Sequence, residues 1–248
     1  MSVKVLSPVR GALAAVGFLT AVPVPSATAE DFPLGRFWFP LVGAGIGGSA
    51  GVVEWWLSPV VGRDLAAVAA IATLAVLTGG LHLDGLGDTA DGLFGGDSPT
   101  QRLAIMRDSR LGAFGAVAIT VVLLGDYSAL AGLSPRTGLV HLVLVGAISR
   151  WAMLMVLLAL PYARDDGLGL AWRSRGSLWV ALIGTLEVVP LLSIGGQAAW
   201  RGLGLAVIGG VLISYLAARR IGGATGDVYG AVVEVCQLLV LTGCLVRG

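Results

Sequence analysis

The chain has 248 residues, 56% of them hydrophobic and only 12% charged, and its mean hydropathy is +0.88. So apolar a composition lies outside the range of soluble domains and implies a polytopic membrane protein. A net charge of +1 with no basic block argues against a nucleic-acid partner.

Residues 1–29 imitate a secretory signal. Lys4 and Arg10 precede the apolar GALAAVGFLTAV, and SATA stands before Glu30. Pro23 and Pro25 close this run after about a dozen apolar residues, too few for the ~20 that cross a bilayer. A retained re-entrant or interfacial helix is the expectation. Seven later runs are long enough to span, near 37–57, 65–82, 112–133, 138–160, 178–196, 202–218 and 231–246. All are expected to be helical, because lipid offers no partners to open backbone groups. With no repeat or soluble segment in view, the chain reads as one all-α membrane domain over 1–248.

Gly43, Gly47 and Gly51 stand four apart, a pattern that lets helices approach closely. Cys236 and Cys244 both fall in the last run, about 12 Å apart along one helix, so they cannot bridge and match no zinc pattern.

The positive-inside rule orients the chain. With the N-terminal run not crossing, one side holds Lys4, Arg10, Arg36, Arg102, Arg107, Arg110, Arg164, Arg173, Arg175, Arg219 and Arg220. The other holds Arg63, Arg136, Arg201 and Arg247, while Arg150 lies within a span. The larger set marks the cytoplasmic side, with the N-terminus inside and the C-terminus outside. The stretches 82–111, 162–169 and 222–230 then share the cytoplasmic face.

The first of these, HLDGLGDTADGLFGG, places Asp84, Asp88 and Asp91 at i, i+4 and i+7, on one helical stripe. Three carboxylates on one face repel one another and call for a cation or raised pKa values. Hard oxygen ligands suit Mg²⁺, which takes one or two carboxylates and shares substrate phosphates. A solvated acidic helix end is the plainer alternative. In IMRDSRLGAFG, Arg107 and Arg110 flank Asp108 and Ser109. Arginines clamp phosphate bidentately, though they also anchor helices at anionic headgroups. In GGATGDVYGAVVEV, Asp227 and Glu234 share a stripe. Glu234 lies in an apolar run, where an ionisable group serves a site or pairs with a partner such as Arg150.

His82 is a candidate ligand or base, two residues off the aspartate stripe. His141 reads as packing, Glu54 beside Trp55 and Trp56 as part of an interface belt, and Asp126 as intramembrane; Glu187 has no evident part.

Taken together, GGLHLDGLGDTADGLFGG, IMRDSRLGAFG, YARDDGLG and GGATGDVYGA with Glu234 resemble the cobalamin synthase family. The N-terminal LTAVPVP and FPLVG add to the resemblance, which runs from about residue 18 to 240. It implies a ribazoletransferase in the bacterial inner membrane. Such an enzyme joins adenosylcobinamide-GDP to α-ribazole or its 5′-phosphate, releases GMP and needs Mg²⁺. The expected metal ligands are Asp84, Asp88 and Asp91. Arg107 and Arg110 are expected on the phosphate oxygens, and Asp91 or Asp227 as the proton acceptor. His82, Asp108, Ser109, Arg150 and Glu234 complete the expected substrate site.

CDP-alcohol phosphotransferases use a similar logic, but their Ala-Arg pair after the first Asp-Gly and their later DxxxD are missing at the right distance. A transporter is the rival from another class, although its binding residues would sit near the midplane. The lipid bilayer is the one partner the composition demands, and a homo-oligomer is left open.

Overall fold

The computed structural model describes residues 8–25, 28, 31–172 and 178–245; Lys4, Arg173, Arg175 and Arg247 lie outside them, as does Glu30. The described residues are helical throughout, apart from turns and one isolated parallel bridge between Tyr162 and Ala224. Four helices are long and apolar enough to cross a membrane, or five if one bent pair counts as a single span, so length and composition alone do not reach the expected seven.

The N-terminal run forms α1 (Pro8–Leu19), only 12 residues long. It buries Ala14, Ala15 and Leu19 and joins an aromatic group in which the Phe18 and Trp172 rings are 4.6 Å apart and Phe39 and Trp172 5.1 Å. A short α2 (Phe32–Gly35) and a 3₁₀ turn (Arg36–Trp38) lead into α3 (Phe39–Val61).

α3 lies against α8 (Pro135–Ala159) along the glycine stripe. Gly43 meets the backbone of Gly146, Gly47 that of Leu142, and a Cβ on Gly51 would lie 2.8 Å from a Leu139 methyl. Missing side chains bring the two backbones together, which is how helices gain van der Waals contact where lipid supplies no hydrophobic drive.

After Gly62 the chain returns as α4 (Arg63–Thr78). The span expected over 65–82 ends four residues early, because Gly79 and Gly80 adopt left-handed backbone (φ +61° and +72°). Their N–H groups close the last turn of α4 on Val76 O and Ala75 O. The next helix, α5 (Leu81–Gly95), leaves at 87° to α4. This bend turns the aspartate helix across the end of the bundle instead of along it.

A Ser98-capped α6 (Pro99–Ile105) precedes α7 (Ala113–Gly132), which matches the span expected over 112–133. A single turn, α9 (Leu168–Ala171), follows the loop after α8. The two spans expected at 178–196 and 202–218 appear as α10 (Leu178–Ile221), broken at Gly196 (φ +59°, ψ −148°). Gly184 lies against Leu154 and Gly195 against Leu144, whereas Gly202 meets Val240 and Gly209 meets Leu239. The arms of α10 therefore run in opposite directions. Finally, α11 (Gly226–Leu245) starts five residues before the expected 231 and brings Asp227 into its first turn.

Candidate active site

Two backbone hydrogen bonds, Ala163 N to Ala224 O and Ala224 N to Pro161 O, both 2.8 Å, clamp the loop after α8 to the segment before α11. Thr225 starts α11 by accepting from Val228 N at 3.3 Å, and its hydroxyl donates to Asp227 Oδ2 at 3.2 Å. The clamp sets Arg164 over that turn, with Nη2 2.7 Å from Asp227 Oδ2. Arg164 Nε has no partner.

α5 crosses α11 at Gly85 and Gly230. A Cβ on Gly85 would come within 2.8 Å of Asp227 O, and one on Gly230 within 3.0 Å of His82 O. This approach joins Asp84 and Asp88 to Asp227. Asp88 is repelled by Asp84, Asp227 and Asp91 together, and Arg164 is the cation that counters them. Three of the four sequence motifs thus meet here, around a cavity of about 190 Å³ lined by Asp84, Arg164 and Asp227 among others.

The three aspartates that share a stripe of α5 stand in different surroundings. Asp84 is exposed, Asp88 half-buried and Asp91 buried. Asp91 accepts from Gly112 N at 2.7 Å and Gly115 N at 2.9 Å. Those are orphan N–H groups at the start of α7, and Gly112 in the N-cap position has no side chain to serve them. Asp91 therefore caps a neighbouring helix, and its charge sits at the positive end of that helix's dipole.

Among the described residues, no three His, Cys, Asp or Glu side chains are grouped closely enough to hold a metal ion among themselves. Asp84, Asp88 and Asp227 nevertheless form an open acidic donor set. Such a set fits an Mg²⁺ that takes one or two protein carboxylates and completes its shell with water and phosphate.

IMRDSRLGAFG attaches from outside. Exposed Arg107 Nη2 lies 2.5 Å from Asp166 Oδ1, which ties it to the 162–169 motif. Arg110 folds back on Asp108, with Nε 3.0 Å from Oδ1 and Nη2 2.6 Å from Oδ2. Hydrogen bonding from that guanidinium holds the Asp108 carboxyl down to about 2. Ser109 is exposed. None of these four lines the cavity.

Deeper in the bundle, Arg150 is fully buried; Nη1 donates to Ser149 Oγ at 3.1 Å and Nη2 lies 3.4 Å from His82 Nδ1. Glu234 is buried within electrostatic reach of Arg150, but the two form no ion pair within 4.0 Å. Buried Asp126 accepts from Gln237 Nε2 at 3.0 Å. Reading the sequence singled out neither Arg164 nor the tyrosines at 162 and 229; all three stand inside the quoted motifs, but nothing in their spacing sets them apart.

Apolar helices long enough to cross a membrane, with an acidic, arginine-countered cleft at one end, fit the class of membrane-embedded enzymes. The chain belongs to the cobalamin-5-phosphate synthase family, whose model matches residues 11–245. Over 94% of both chains it is 40% identical to an adenosylcobinamide-GDP ribazoletransferase of Azorhizobium caulinodans. It is 39% identical to one of Ralstonia pickettii over 93% of both, and 35% identical to one of Klebsiella pneumoniae over 96% of this chain and all of the other. No solved structure matches it. Family membership leaves no place for the CDP-alcohol and transporter alternatives.

Proposed function

We propose that the chain joins adenosylcobinamide-GDP to α-ribazole or its 5′-phosphate, giving adenosylcobalamin or its 5′-phosphate and GMP. A ribose hydroxyl attacks the phosphorus next to cobinamide. The new P–O bond replaces the bond to the GMP phosphate, which leaves with the electron pair. The hydroxyl proton passes to a carboxylate at the cleft, and Asp227 is the better acceptor, because both oxygens of Asp91 already accept backbone N–H groups.

The observation that carries this reading is the meeting of Asp84, Asp88 and Asp227 with Arg164 at one cleft. Acids for a metal and an arginine for phosphate are the parts that phosphoryl transfer needs. Arg164, which lines the cavity and pairs with Asp227, is the arginine nearest the acids for a diphosphate oxygen. Asp84 and Asp88 would hold Mg²⁺, with Asp227 adjoining. The ion, when bound, would neutralise the diphosphate and the leaving GMP. Arg107, 55% exposed, and Arg110, 86% exposed, are better suited to meeting the outer part of a large substrate than to the reacting phosphorus.

We further place the cleft on the cytoplasmic side of the inner membrane. Arg102, Arg107, Arg110, Arg164, Arg219 and Arg220 sit at its end of the bundle, and Arg63, which donates to Leu133 O, at the other. The test is GMP release by the lipid-reconstituted protein given adenosylcobinamide-GDP, α-ribazole 5′-phosphate and Mg²⁺, with Asp84→Asn beside it. Release by the parent and none by a folded variant supports the reading; no release by well-folded parent protein sinks it.

A further inference from the structure

The small cavity has a second property that the acidic cluster does not account for. At about 190 Å³ it falls below the ~300–1,000 Å³ of sites for drug-sized ligands and near the ~150 Å³ hole that accepts a benzene. One or two fused rings fit it, and a macrocycle does not. Its walls are largely apolar and aromatic, with Phe18, Leu81, Met153 and Tyr229 among them. Tyr162 adds a second phenol ring, 6.4 Å from that of Tyr229. The charged groups Asp84, Arg164 and Asp227 line it as well.

The polar group it receives from the bundle interior is His82, 3% exposed. A guanidinium has only donors, so the contact from Arg150 makes His82 Nδ1 the acceptor and leaves the ring proton on Nε2. No hydrogen bond to that Nε2 is found among the described residues, and His82 is one of the residues that line the cavity. An unpaired ring N–H on a buried histidine beside a largely apolar pocket asks for a ligand acceptor.

Resting on the transfer proposed above, we infer that this cavity binds the aromatic base of the α-ribazole substrate. The apolar walls take the fused rings, and His82 Nε2–H donates to the unsubstituted ring nitrogen. Arg150 is a positioning residue that fixes the His82 tautomer. A base held here brings its ribose toward Asp84 and Asp227, where the attacking hydroxyl is needed.

The experiment compares α-ribazole with an indole riboside, in which C–H replaces the free ring nitrogen. Both are offered to the reconstituted full-length protein with adenosylcobinamide-GDP, and calorimetric binding is measured in parallel. The parent is expected to favour α-ribazole by at least about tenfold in kcat/KM. His82→Leu is expected to bring that ratio close to one, and His82→Gln, which keeps an N–H donor, to restore part of it. Met153→Trp, which fills the cavity, is expected to raise the KM for α-ribazole roughly tenfold or more and leave that for adenosylcobinamide-GDP unchanged. Equal use of the two nucleosides by the parent overturns the inference without any variant having to fold. So does a Met153→Trp effect confined to the GDP-linked substrate. If the parent releases no GMP at all, the transfer reading falls, while the calorimetric preference between the two nucleosides still decides the base site.

Discussion

Arg164 Nη2 lies 2.7 Å from Asp227 Oδ2, joining the loop after α8 to the first turn of α11 across the mouth of the cleft. Arg164 is the cation that counters the repulsion of Asp88 by Asp84 and Asp227. Arg164→Ala is expected to lower kcat/KM for GMP release by roughly 10²–10³-fold, the size of effect found when one donor to a developing oxyanion is removed. Arg164→Lys keeps the charge without the planar fork and is expected to recover only part of it. Single-turnover GMP release checks both.

Asp84 and Asp91 belong to the same helix and the same motif, yet their variants should differ in kind. Asp91→Asn removes a charge-assisted acceptor from the buried start of α7 and should cost ~1–3 kcal/mol of stability, read as a lower Tm in detergent. Asp84 is exposed at the cleft, so Asp84→Asn should leave Tm unchanged and abolish GMP release.

Chelating divalent ions with EDTA should stop GMP release, and added Mg²⁺ should restore it. Asp88→Asn should raise the Mg²⁺ concentration for half-maximal rate by roughly tenfold or more, since the ion takes only one or two protein carboxylates. A Mg²⁺ titration of parent and variant decides this. An unchanged midpoint would remove Asp88 from the ligand set.

The glycine seam between α3 and α8 should tolerate no side chain. Gly47→Leu places atoms where the Leu142 carbonyl already sits and should cost about 1–3 kcal/mol or more. Gly45, with open space beside it, is the control, and Gly45→Ala should leave Tm within experimental scatter.

Sidedness can be read by labelling a single cysteine. In a background lacking Cys236 and Cys244, Ser98→Cys, exposed just past α5, should react with a membrane-impermeant maleimide only after the cells are opened. Labelling of intact cells would place the cleft on the outer face.

The all-helical membrane class was legible from apolar run length alone, because a bilayer admits few solutions for a buried backbone. The Gly43-Gly47-Gly51 seam was legible too, since a missing side chain has the same meaning wherever its neighbour lies. Most bounds fell within a few residues of the helices. The misses at 65–82 and before 231 came at glycines and threonine, where left-handed backbone or a cap, not hydropathy, decides the end of a helix.

By itself, then, the sequence determined the solvent this protein folds in, the helices that cross or line it and the motifs that carry its charge. Only the tertiary structure decided which charges work together. Periodicity along α5 put Asp84, Asp88 and Asp91 on one stripe, but the 87° bend at Gly79 and Gly80 lays that helix across the bundle end. There Asp91 faces the start of α7, while Asp84 and Asp88 face Asp227 and Arg164. A one-dimensional spacing specifies which residues share a helical face. What that face meets depends on backbone turns and helix crossings far away in the chain, and no local pattern encodes them.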